Sequence, residues 1–287
     1  VKEIKTSLDK YLDRMKISEA DKIIEEAMKL VCGFKCFYEE ARLSLDSNKP
    51  IIAYRKIKKA IEFAKKKEEF IKGYKLIGEI LESIGSFDEA LPFLEESLKL
   101  AKELKDIEEQ ISILNSIANI YFRKEDIEKS LEYCQKAIQL YNLQEKLLKT
   151  EEIAITYNNA AIIYNKTKQH EKAIEHLKKA IKLSIDPEKL PLYKLNLGYT
   201  YTKIKDFKNA EKYLLEALES FKKAKNKLGE AKTYRYLAMY YRERKDLEKA
   251  AEYYQKAYQI LNSIGKKYDA EKILREIEEL NNQSILP

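Results

Sequence analysis

The chain has 287 residues, 36% of them charged, with a formal net charge of +7, seven glycines, five prolines and no tryptophan. Such a composition predicts long water-exposed helices joined by short loops. It excludes a membrane span, since no uncharged stretch, that near Ile111–Phe122 included, is nearly long enough.

In chain order, the opening "VKEIKTSLDKYLDRMK" is amphipathic and charged from its start, unlike a signal peptide. Seven helical hairpins are then predicted, over roughly 1–31, 34–66, 70–104, 108–142, 151–185, 190–225 and 228–264. A closing helix, "KKYDAEKILREIEELNN" (266–282), carries Lys272, Arg275, Glu276 and Glu279 on a polar outward side, as an end cap requires. No alternating run bounded by hairpin turns reads as a strand. Residues 1–287 are therefore expected to form one all-α solenoid domain.

The hairpins are legible because small residues recur in register. The second helix of each carries two of them seven apart: Ala20/Ala27, Ala53/Ala60, Ala90/Ser97, Ser130/Ala137, Ala173/Ala180, Ala210/Ala217 and Ala250/Ala257. Seven residues are about 700° of helical rotation, so each pair returns to one face, where a neighbouring helix can approach closely. Twelve residues before the first member lies a small residue on the preceding helix: Ala41, Gly78, Ala118, Ala161, Gly198 and Ala238. Leu8 breaks the rule in the first repeat. Between the two helices sit turn signals such as "RKEDIEKS", "KIKDFKNA" and "ERKDLEKA".

These residues resemble the tetratricopeptide repeat, whose first (A) helix has a small residue and a tyrosine and whose second (B) helix has two alanines. Tyr121, Tyr164, Tyr201 and Tyr241 stand three after their small residue, as that pattern asks, whereas Ser44 replaces the tyrosine in the second repeat. The resemblance covers nearly the whole chain. It implies a right-handed superhelix whose concave groove is lined by A helices.

Most candidate chemistry dissolves. The positive charge is spread as interleaved Lys and Glu on solvated helix faces, with no basic block or aromatic-basic motif, so no direct nucleic-acid binding is expected. His170 and His176, six apart, lie about 120° off a shared helical face and read as surface residues, His170 in a turn. Cys32 and Cys36 lack further ligands for zinc, and Cys134 takes the place of a buried hydrophobe. Three cysteines, an odd number, argue for a reducing compartment, and the expected location is cytoplasmic. No phosphate loop, nucleophile elbow or distinctive acid pair appears. Neither an enzyme nor a metal or other cofactor is expected.

The asparagines stand out. They are mediocre helix formers, yet they concentrate on three successive A helices: Asn115 and Asn119, then Asn158, Asn159 and Asn165, then Asn196. Asn115 and Asn158 are equivalent positions, as are Asn159 and Asn196. One reading is that they stitch helices together or face water. The other is that they grip a ligand, because a side-chain amide matches both the N–H and the C=O of an extended peptide. With helices about 8–10 Å apart and about 3.3 Å per extended residue, they would hold roughly every third residue. Phe122, Ile162, Tyr199 and Met239 would then line side-chain pockets, and Arg123, Lys166, Lys203, Arg235 and Arg242 would favour an acidic residue or a free carboxylate.

Two kinds of tetratricopeptide protein invite comparison. The Lys/Asn carboxylate clamp of chaperone-tail adaptors is incomplete here, since Asn115 and Leu192 stand where it has basic residues. The long period and the asparagine array are similar to the repeat region of bacterial peptide-pheromone receptors, although no helix-turn-helix or output bundle is recognisable in these residues. The resemblance implies a non-enzymatic module binding a short linear peptide or partner protein. The alternatives are a scaffold for folded partners, with self-assembly into a homo-oligomer among its forms, and the regulatory array of a multidomain signalling enzyme. Because Val1 opens the chain and Ile17, Ile23, Ile24, Met28, Leu30 and Val31 crowd the first hairpin, an effector segment is also expected to precede it and dock there.

Overall fold

A computed structural model describes residues 18–31, 33–144 and 151–285, and among these every regular element is helical. The chain divides into two compact units, residues 1–148 and 149–287. The first holds α1 (Glu19–Val31), α2 (Phe34–Asp46), α3 (Pro50–Glu62), α4 (Lys67–Ser83), α5 (Phe87–Glu103), α6 (Ile107–Arg123) and α7 (Ile127–Gln144). The second holds α8 (Glu151–Lys166), α9 (His170–Leu183), α10 (Leu190–Lys203), α11 (Phe207–Lys223), α12 (Lys227–Glu243), α13 (Leu247–Ser263) and α14 (Lys267–Ile285). Within each unit consecutive helices from α2 to α7 and from α8 to α14 pack against one another, Glu25 of α1 reaches Arg55 and Lys56 of α3, and A helices also touch the next A helix: α2 with α4, α4 with α6, α8 with α10, α10 with α12.

The turns follow from local chemistry. Helix α6 ends at Arg123, Glu125 takes φ 64°, and the Asp126 amide donates to the Tyr121 carbonyl at 2.9 Å. That is a Schellman turn, and it recurs with Lys205 and Lys245 in the left-handed position. The residue after the turn caps the next helix. Asp106, Asp206, Asn226 and Asp246 each accept a backbone N–H three residues on, replacing one of the partners that a helix start lacks.

The small residues lie where helices meet. Ala41, Ala53, Ala60, Ala118, Ala161, Ala173, Ala180, Ala238 and Ala250 are all buried. A Cβ on Gly198 would stand 2.8 Å from Leu214 Cγ and 3.1 Å from its backbone nitrogen, so α11 packs where only glycine fits. The two serines that replace alanine are satisfied: Ser97 donates to the Ile71 carbonyl at 2.9 Å and Ser130 to the Ala118 carbonyl at 2.7 Å.

Several expectations need correction. Ala27 is exposed, so the small-residue pairing does not extend into α1. Ile23 and Ile24 are exposed beside it, while Leu8 and Ile17 lie outside the described residues. Glu276 does not face outward with Lys272, Arg275 and Glu279, because Arg235 of α12 draws it inward. Cys36 is disulfide-bonded, so the cysteine count carries no argument for a reducing compartment. Cys134 is buried as expected, and burial pushes its thiol up to about 12.

Candidate functional site

The four candidates of the first unit all lie on α6. Asn115 is buried and Phe122 half-buried. The Asn119 amide donates to the Glu82 carboxylate at the end of α4. Arg123 donates to the Glu82 carbonyl at 2.8 Å, lies 3.3 Å from its carboxylate, and covers the Phe87 ring at 4.8 Å. Burial raises the Glu82 carboxyl above its ordinary value, and the Arg123 bond opposes that rise. Asn119 and Arg123 therefore join α6 to α4.

The second unit repeats this logic with different chemistry. Asn196 of α10 donates its amide to the Asn158 carbonyl oxygen on α8 at 2.7 Å, both side chains being buried. Asn165 donates to the Thr200 hydroxyl at 2.8 Å, and its other end meets His170 Nδ1 at 3.1 Å. Tyr199 packs against Tyr236 of α12 with ring centres 4.7 Å apart and ring planes tilted by 31°. Lys203 lies 5.5 Å from the Tyr199 ring centre and 4.0 Å from the Glu243 carboxylate. Arg235 reaches Glu276 of α14, its Nε 3.0 Å from both carboxylate oxygens. Lys166 is exposed in the last turn of α8.

What remains is short. The side chains of Asn159 and Arg242 are half-buried and form no hydrogen bond or ion pair among the described residues, and Ile162 and Met239 are half-buried beside them in sequence. Asn159 is on α8 and Arg242 on α12, with α10 packed between them. Burial raises the Tyr199 hydroxyl's pKa while the Arg235 and Arg242 charges oppose it, so both guanidinium groups act on that ring. This face thus offers an unpaired amide, an aromatic pair and a cation without a carboxylate.

The histidines differ from their reading as surface groups. His170 opens α9, and His176 sits against the Tyr157 and Tyr164 rings at 5.5 and 4.9 Å, where burial lowers its pKa. Sequence reasoning also missed Glu82, Thr200, Tyr236 and Glu276, the partners that occupy the candidate residues. A signal existed: these hydrogen-bonded pairs are separated by 35 to 41 residues, one repeat period. Among the described residues, no three His, Cys, Asp or Glu side chains gather to hold a metal, and no helix is long and apolar enough to cross a membrane.

Tetratricopeptide repeat models match residues 109–186 and 191–263, and a second such model matches 74–108. No protein of curated function matches the chain in sequence. Among solved structures, BtubC (BKLC) from P. vanneervenii is similar with a TM-score of 0.60 and 20% identity, over 91% of this chain and 93% of that one. A Rap protein complexed with competence and sporulation factor gives 0.64 and 13%, over 95% and 82%. A signal transduction ATPase with a tetratricopeptide repeat sensor from Pyrococcus horikoshii gives 0.65 and 21%, over 92% of this chain but 40% of that one. At these identities the likeness is one of fold.

Proposed function

The chain belongs to the tetratricopeptide repeat family, and from that premise we propose that it is a non-catalytic module whose second unit takes a short linear peptide on its A-helix face. One observation carries this reading. Where Asn158, Asn165, Asn196 and Arg235 are each bonded to a neighbouring helix, Asn159 and Arg242 have no such partner. A half-buried side-chain amide that no neighbouring helix engages is free to exchange solvent for the N–H and C=O of a peptide backbone. The two residues are two A-helix spacings apart, about 16–20 Å, the reach of roughly five or six extended residues. Such a peptide would lay its backbone on Asn159 and an acidic group on Arg242, with Tyr199, Ile162 and Met239 under its side chains.

The Rap protein with the same fold was solved with competence and sporulation factor, which favours the sensor region of a bacterial regulator as the setting. The Pyrococcus ATPase, in which a stretch this long covers 40% of the chain, supports a second reading as the sensor array of a larger signalling protein. Both settings use the same face. Panning the intact chain against a random heptapeptide library tests the proposal: binders that compete for one site are expected, and their absence would overturn it.

A further inference from the structure

A second feature of the same unit bears on what the peptide contains. A cleft of about 100 Å³ opens between α12, the end of α13 and α14. Its floor is apolar, formed by Leu228, Ala231, Leu261 and Ile273. Its rim is charged: Lys232 and Arg235 come from α12, Asp269 and Lys272 from α14. Arg235 is neutralised by Glu276. Lys232 and Lys272 are exposed and have no carboxylate partner among the described residues, Lys272 resting only on the Tyr268 ring at 4.5 Å. The rim therefore keeps two unpaired cations against one unpaired carboxylate, Asp269.

We propose that this cleft is an anchor pocket for one apolar side chain of a linear peptide that carries a carboxylate beside it. The inference rests on the reading of the A-helix face as a peptide site, and Arg235 forms the wall nearest that face in sequence. Size selects the occupant. Small-molecule sites enclose about 300–1,000 Å³, so a cleft this small is no home for a cofactor or metabolite and suits a single leucine-sized group. Charge selects its neighbour, because an apolar floor rimmed by spare ammonium groups favours an acidic residue or a chain-terminal carboxylate over a basic one.

The test uses the intact chain and peptides selected from a random heptapeptide library. Selected sequences should be enriched in an acidic residue within two positions of Leu, Ile, Met or Phe. The exposed double variant Lys232→Glu/Lys272→Glu should weaken their binding by about tenfold or more. Leu228→Trp, which fills the cleft, should do the same with an unchanged melting temperature. Undiminished affinity in the charge-reversed variant, or enrichment without acidic residues, overturns the pocket. If binding survives both cleft variants but falls in Asn159→Ala, the pocket fails while the peptide reading stands. If the library yields no binder, both fail.

Discussion

Asn158 and Asn196 show how a polar residue inside a helical stack is used up by its neighbour. Each is buried, and the 2.7 Å bond between them satisfies one donor and one acceptor. Asn196→Ala should cost about 1–3 kcal/mol of folding stability, because the Asn158 carbonyl oxygen is left buried without a partner. Replacing both by leucine should cost less than the sum of the single changes, which a double-mutant cycle in urea would read directly. His176 gives a pH effect with a definite sign. Burial against Tyr157 and Tyr164 lowers its pKa below the usual 6.5, opposed by the hydrogen bond to the Lys172 carbonyl and by the Glu175 charge, and reinforced by the Lys179 and Lys172 ammonium charges. The unfolded chain then takes up the proton first as pH falls, so stability is lost from about 6.5 downward through the lowered folded value. Unfolding midpoints at pH 7 and pH 5 should differ less in His176→Phe than in the parent. An equal or larger difference would remove His176 as the cause.

At the scale of the helix, the register of small residues carries the fold. Gly198 is the sharpest case: a methyl group there meets Leu214 Cγ and the backbone of α11. Gly198→Ala should destabilise by about 1–3 kcal/mol through overpacking, despite alanine's better helix propensity, and a thermal melt would show it. An increase in melting temperature would mean that α10 and α11 are not held at this distance. The hairpins were legible because Ala118, Ala161, Gly198 and Ala238 restate one packing rule and because Asp206 and Asp246 mark the next helix start. Where the rule is not restated, the reading weakened, and Ala27, though spaced like the rest, is exposed. The direction of Glu276 was missed for a related reason. The helical pattern of α14 puts it among polar residues, and only Arg235, 41 residues earlier, turns it inward.

Across the whole chain, fold and site differ in how much sequence reveals. Repetition makes the fold redundant, so a single sequence contains several copies of the same evidence. A binding face has no such redundancy. The asparagine array was visible, but which members bind helices and which remain open depends on the residue one repeat away: Thr200 for Asn165, Glu82 for Asn119. Asn159 and Arg242 emerge only when those bonds are subtracted.

The division between bonded and open residues is the account's central claim, and calorimetry of the intact chain with one library-selected peptide tests it most directly. Asn159→Ala and Arg242→Ala should each weaken binding by about 1–3 kcal/mol with the melting temperature unchanged, whereas Asn196→Ala should lower the melting temperature. Unaltered affinity in both Asn159→Ala and Arg242→Ala, with the peptide still bound, would contradict it.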